Sequence, residues 1–228
     1  MDSPDSITAM SRAGIGRRSL TILGMGLVAS VALIPIDAAI LDAARSMPLG
    51  GDVRRELVVL GQFGAPVSLV LAGLLIWRLD PRRTRRLLDL AAAAAATWLI
   101  VQIGKMLIGR PRPKFDDPLV FPGPFGSYPL GEGEGVRHGW ELWGGISSDL
   151  WSMPSSHTAA AVVLGVFLGV VYPRLCVVTI PVMIGVGCTR VLFGAHWPSD
   201  VIAGGAIAAA VTLPITSGRV ASRRPPEP

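Results

Sequence analysis

Six apolar stretches, at 20–41, 57–77, 87–108, 157–172, 175–193 and 201–216, take up most of this 228-residue chain. A helix needs about 20 apolar residues to cross a hydrocarbon core of roughly 30 Å. In lipid every backbone N–H and C=O must find its partner within the protein, so such stretches are read as helices. The fourth and sixth are shorter than ideal. Half the residues are hydrophobic and 16% are charged, which is the balance of a membrane protein rather than a soluble domain. The expected fold class is all-α: a polytopic membrane protein, a six-transmembrane-helix bundle. Residues 109–156 form its long outer interfacial loop between helices 3 and 4. Residues 1–19 and 217–228 are expected as cytoplasmic tails around one membrane domain, 20–216, because too few residues remain for a second one.

The distribution of charge orients the bundle. Arg12, Arg17 and Arg18 precede the first span, and Arg78, Arg82, Arg83, Arg85 and Arg86 crowd the second loop. Arg174 lies in the fourth loop, and Arg219, Arg223 and Arg224 follow the last span. With six spans these regions share one side, which the positive-inside rule makes cytoplasmic. The 78–86 run also suits contact with anionic lipid headgroups. Charges that flank membrane spans argue against a nucleic-acid partner. Arg17 and Arg18 before an apolar run have the outline of a signal peptide, but the run is long for one, so the first span is read as retained. The Arg-, Ala- and Gly-rich composition and compact loops point to a bacterial inner membrane. Cys176 and Cys188 fall on one predicted helix, about 18 Å apart at 1.5 Å rise per residue, too far for a disulfide. Oligomeric state is not legible.

Pro35 and Asp37 are expected to kink the first span or end it early. Small residues, in the alanine run 91–96 and at Gly165 and Gly169, allow close helix approach. The 109–156 loop carries aromatic residues along its length and reads as a cap in the outer interface, with a short amphipathic helix near 140–146. His138 within it reads as a loop residue.

Three motifs sit where apolar segments meet water: KMLIGRPRP at 105–113, PSSH at 154–157 and TRVLFGAHWPSD at 189–200. Counting spans from an inner N-terminus places all three on the outer face. A helix N-terminus at Ser155 or Ser156 offers free N–H groups and a positive dipole end to an oxyanion. Lys105, Arg112 and Arg190 would surround the remaining phosphoryl oxygens, at roughly 1.5–3 kcal/mol for each charge-assisted hydrogen bond. Arg190 stands near the end of an apolar helix, where an unneeded charge is costly. His196 and Asp200 are four residues apart, close enough for the carboxylate to hold one ring nitrogen and leave the other as nucleophile. His157 suits protonation of a leaving oxygen. No carboxylate cluster for Mg²⁺ or Cys/His set for Zn²⁺ is present in the sequence, so no metal and no cofactor is expected.

These residues resemble the type-2 phosphatidic acid phosphatase superfamily, the lipid phosphate phosphatases. Its pattern is Lys-x6-Arg-Pro, Pro-Ser-Gly-His and Ser-Arg-x5-His-x3-Asp. Lys105, Arg112 and Pro113 match the first part, Pro154, Ser155 and His157 the second, and Arg190, His196 and Asp200 the third. Ser156 replaces the family's Gly and Thr189 its Ser. The resemblance implies a six-helix architecture and a phosphohistidine mechanism. In it His196 attacks phosphorus with Asp200 assisting, His157 protonates the departing alcohol and then activates water, and Lys105, Arg112, Arg190 and the backbone near Ser156 stabilise the transition state. The expected partners are membrane lipids and a lipid phosphate or diphosphate substrate: phosphatidate, phosphatidylglycerophosphate, a prenyl diphosphate or the lipid A class. Two other readings stay open at this point, a phosphotransferase using the same phosphohistidine and a non-enzymatic anion- or lipid-binding membrane protein.

Overall fold

A computed structural model of the chain describes residues 4–131, 135–141 and 148–221. The amphipathic helix expected near 140–146 falls largely outside these residues, as do Arg223 and Arg224.

Eight α-helices carry the described chain: α1 (Pro4–Leu33), α2 (Asp37–Arg45), α3 (Gly51–Gly61), α4 (Pro66–Leu79), α5 (Leu87–Ile108), α6 (Ser156–Val171), α7 (Cys176–Leu192) and α8 (Pro198–Ala221). Among the described residues, four helical segments are long and apolar enough to cross a membrane, and the bent pair α3–α4 makes a fifth if counted as one span. The chain is an integral membrane protein. The stretch expected as the fourth span is the 16-residue apolar helix α6.

The breaks have local causes. The first span is interrupted where expected: a 3₁₀ turn at Ile34–Ile36, with Pro35 inside it, separates α1 from α2. The second expected span is in fact two helices meeting at 68°. Its elbow is a 3₁₀ turn at Gln62–Gly64, followed by Ala65 in extended conformation and Pro66 at the first turn of α4. Proline there is pre-set for a helix start and donates no hydrogen bond backward. Gly109 ends α5 in the left-handed conformation at φ 64°, which glycine adopts without steric cost.

α6 lies at the centre, packed against α5, α7 and α8, while α1 runs along α8. Phe167 and Val163 of α6, Ala93 and Val101 of α5 and Ala208 of α8 are fully or almost fully buried there. Leucines and valines such as Leu20, Val28 and Val177 point outward, as expected for a surface bathed in lipid rather than water. Small residues set the helix spacing. A Cβ on Gly26 of α1 would lie 2.2 Å from the Ala206 Cβ of α8. Gly165 and Gly169 of α6 likewise face Met183 and Cys176 of α7.

The 109–156 loop is not wholly irregular. It contains a two-stranded antiparallel sheet, β1 (Ser127–Gly131) with β2 (Gly135–His138), a small departure from the all-α expectation. His138 lies in β2, with Nδ1 3.1 Å from the Gly126 carbonyl and its ring stacked on Trp140, a position that holds the loop together.

At the opposite end of the bundle the basic run does more than face lipid. Arg83 donates to the carbonyl of Val171, and Arg86 to that of Thr216. Val171 is the last residue of α6, where backbone acceptors lack partners and the dipole favours a cation, whereas Thr216 lies inside α8. Arg78, Arg82 and Arg85 stay exposed and available to headgroups.

Candidate active site

The C-terminal ends of α5 and α7 and the N-terminal ends of α6 and α8 come together, and the three motifs are cross-linked there by hydrogen bonds. Ser152 N–H donates to the Arg110 carbonyl at 3.1 Å, and Ser155 N–H to the Asp200 carbonyl at 3.0 Å. Trp197 Nε1 donates to the Pro111 carbonyl at 3.0 Å and Arg112 to that of Ala195 at 3.2 Å. Close packing reinforces these ties. A Cβ on Gly204 of α8 would lie 2.5 Å from the Ser155 carbonyl oxygen, a backbone atom with little room to move.

Ser155, rather than Ser156, is the N-cap of α6. Its backbone is extended and its Oγ accepts from Thr158 N at 3.5 Å and from Thr158 Oγ1 at 3.1 Å. With its side chain so engaged and fully buried, Ser155 serves the helix end. Ser156 occupies the first helical position, and its backbone N–H belongs to the free donors of the first turn.

Lys105, 4% exposed, does not snorkel to the interface; its ammonium donates to the Trp151 carbonyl of the loop. The charges of Arg190, Arg112 and Lys105 all act on His157, and those of Lys105, Arg112 and Asp200 act on His196. Three cations and two imidazoles thus form one electrostatic cluster. The α3–α4 elbow closes it from the side. A Cβ on Gly61 would lie 2.8 Å from an Arg190 guanidinium nitrogen, and one on Gly64 would lie 2.4 Å from the His157 carbonyl oxygen. This elbow's role has no signal in the sequence, because glycines in an apolar stretch read as packing residues.

His196 precedes α8 in the turn after α7, where its own N–H and that of Ala195 both donate to the Arg190 carbonyl. Its Nδ1 lies 3.7 Å from Asp200 Oδ2, as near as the spacing suggests but longer than a hydrogen bond. That oxygen accepts instead from Trp197 N–H at 2.9 Å and from Ser152 Oγ. The other oxygen, Oδ1, accepts from Arg110 at 2.7 Å. Arg110, Ser152, Ser199 and Asp37 around this carboxylate were absent from the sequence-based site. The available signals were an acid inside an apolar span and a second arginine two residues before Arg112.

Burial, the largest cause, lowers the His196 pKa from 6.5 to about 4, with Lys105 and Arg112 adding to the effect and Asp200 opposing it. The imidazole is therefore neutral near pH 7, the form that carries a nucleophilic lone pair. A stability consequence follows by linkage. Between about 6.5 and about 4 the unfolded chain binds a proton at this residue and the folded chain does not. The His196 contribution is complete above that window and is lost as pH falls through it, by at most about 3 kcal/mol. Thermal unfolding in detergent should show the wild-type midpoint dropping across this range more steeply than that of His196→Gln. Parallel profiles would contradict the assignment.

Beside His157 an apolar cleft of about 510 Å³ opens between α4, α5 and α6. Leu69, Ala95, Trp98 and Val163 line it, while Gln102, Ser156 and His157 supply polar groups. The alanines of α5 leave the space, because no longer side chain fills it.

The family model of the PAP2 superfamily matches residues 86–224. A protein named lipid A 1-phosphatase from Rhizobium johnstonii is 42% identical over 62 residues, 27% of this chain and 25% of that one. Another of that name from Rhizobium etli is 43% identical over 53 residues, 23% of each chain. This chain therefore matches about a quarter of the length of each relative. Among solved structures, that of a transmembrane PAP2 type phosphatidylglycerolphosphate phosphatase from Bacillus subtilis superposes with a TM-score of 0.65. The two are 20% identical, and the match covers 92% of this chain and 98% of the other, a likeness of fold.

Proposed function

The chain belongs to the PAP2 superfamily, and from that premise we propose that it is a metal-independent membrane phosphatase acting on a lipid phosphate or diphosphate. The observation that carries this reading is the gathering of Lys105, Arg112 and Arg190 around His157 and His196, next to an apolar cleft that reaches His157. Asp149 and Asp200 offset part of the positive charge in this largely desolvated site, and a bound anion would offset more of it. A phosphoryl group at headgroup level, with its hydrocarbon tail in the cleft, answers both features. Phosphatidate, phosphatidylglycerophosphate, prenyl diphosphates and the lipid A class share this chemistry, and the names of the similar proteins fall within it.

The proposed reaction runs in two steps. The His196 ring nitrogen remote from Asp200 attacks phosphorus, and the bond from phosphorus to the lipid oxygen breaks. His157, protonated once the bound phosphate offsets the cations around it, gives that proton to the oxygen, so the lipid alcohol leaves and phosphohistidine remains. Water then attacks phosphorus, His157 takes its proton, and inorganic phosphate departs as the N–P bond breaks. Lys105, Arg112, Arg190 and the first-turn N–H groups around Ser156 balance the charge on the equatorial oxygens in both steps. Ser155 supports this by capping the helix. The cations do the neutralising that a metal ion performs elsewhere.

We read the membrane topology as six passes with both termini cytoplasmic. In this reading α6, short for a span, crosses with the help of its extended flanks and of helices that surround it. The site then faces the exterior of a bacterial inner membrane. One experiment tests activity, metal independence and sidedness together. Short-chain lipid phosphates of the four classes are added outside sealed spheroplasts with chelator present. Phosphate release to the medium from at least one class is expected. Loss of release on chelation, or release only after permeabilisation, contradicts the corresponding part of the proposal.

A further inference from the structure

We propose that Asp37 and Arg110 are positioning residues for the reaction, a relay from the first membrane segment that clamps Asp200 and thereby orients His196. The inference rests on the phosphohistidine reading above and adds to it Asp37, which lies outside the three motifs, and Arg110, which lies within the first but has no role in that reading. Asp37, moreover, precedes the region 86–224 matched by the family model.

The geometry is specific. The Arg110 side chain is fully buried, and its guanidinium bridges two equally buried carboxylates. One terminal nitrogen donates to Asp37 Oδ2 at 2.7 Å and to the Pro118 carbonyl at 2.6 Å. The other donates to Asp200 Oδ1 at 2.7 Å and to Ser199 Oγ at 2.6 Å. Ser199 completes the ring, because its N–H donates to Asp37 Oδ1 at 2.9 Å and its hydroxyl to Asp37 Oδ2. Rings of Phe121 and Trp197, at 5.0 Å and 5.4 Å from the guanidinium carbon, add cation–π contacts.

Charge balance separates this arrangement from simple neutralisation. Arg110 alone would offset Asp200, yet the chain buries a second carboxylate opposite it, where an unneeded charge is costly. Asp37 holds both the start of α8, through Ser199 N–H, and the far side of the guanidinium. The planar fork then fixes the Asp200 carboxylate from its Oδ1 side. Trp197 N–H and Ser152 fix it from the Oδ2 side, which is the edge turned toward His196 Nδ1. Asp200 has no rotational freedom left, so the imidazole beside it meets a carboxylate of set direction.

Asp37→Asn keeps the volume and an acceptor for Ser199 N–H but removes the charge that holds Arg110. It should lower kcat about tenfold to a hundredfold with KM unchanged, assayed in detergent on phosphatidate, phosphatidylglycerophosphate, a prenyl diphosphate and lipid A. Because the effect passes through Asp200, adding Asp37→Asn to Asp200→Asn should cost nothing further, whereas a general packing defect would lower residual activity in either background. Ser199→Ala breaks the same ring more gently and carries the test if Asp37→Asn is not recovered folded; it too should show no added loss in the Asp200→Asn background. Unchanged kcat, or fully additive losses, would overturn the relay. An active Asp37→Asn beside an inactive His196→Ala overturns the relay alone, whereas an active His196→Ala overturns the phosphohistidine reading on which it rests.

Discussion

Replacing His196 by alanine should lower phosphate release by at least about four orders of magnitude, the scale of losing a covalent nucleophile. The chain should still insert and fold. His196 ends no helix, and in the folded protein its N–H, not its ring, makes the structural hydrogen bond to the Arg190 carbonyl. Alanine keeps that backbone bond and removes only the imidazole, so the loss reads chemistry rather than unfolding. Cations left in place should still bind the lipid phosphate, and KM for any residual activity should change far less than kcat. Phosphate release at the wild-type rate by a folded His196→Ala protein would refute the nucleophile.

The second large effect concerns His157. Its loss should cost about 10²–10⁴-fold for a lipid alkyl phosphate, whose alcohol leaves poorly without a proton. An aryl phosphate with a strongly acidic leaving group needs no such proton, so phosphoenzyme formation from it should survive His157→Ala. Hydrolysis of that phosphoenzyme should slow, because the same residue is proposed to activate the water. The expected signature is a burst of aryl alcohol followed by a stalled steady state. Equal losses for both substrate types, with no burst, would assign His157 to binding instead. Its neighbours make that distinction meaningful, since Arg190, Arg112 and Lys105 all act on this ring and are themselves proposed to bind phosphate.

How much of this was legible in the sequence depended on where the physical signal lay. The stretch read as the third span, 87–108, coincides with helix α5, because a run of arginines precedes it and Gly109 supplies the left-handed stop. Hydropathy marked the second apolar stretch but not its 68° bend, because exposed apolar residues such as Val59, Phe63 and Val67 continue across the elbow. The first helix begins at Pro4, well before its apolar run, since hydropathy reports the membrane rather than the backbone.

The candidate site shows the same division. Lys105, Arg112, His157, Arg190, His196 and Asp200 were readable from spacing within short motifs at helix ends. Either serine of the PSSH motif could have been the cap on sequence alone, and only backbone geometry chose Ser155. The Asp37–Arg110 pair joins residues 73 apart in sequence, through tertiary proximity that no local pattern encodes. Asp37 signals itself only as an acid in an apolar span, which a helix break also explains. Two arginines of the 78–86 run, read as lipid-facing, turn inward to backbone carbonyls of α6 and α8 for a reason equally invisible to composition.

The central claim is that phosphorus passes through a covalent bond to His196. The most direct measurement is to mix the protein with a lipid phosphate carrying radiolabelled phosphorus, quench within the first turnovers, and map the label. The account predicts a label stable in alkali and labile in acid, on the peptide that contains His196 and absent from His196→Ala. Rapid release of labelled phosphate with no protein-bound label at any quench time, or a label on another residue, would contradict it.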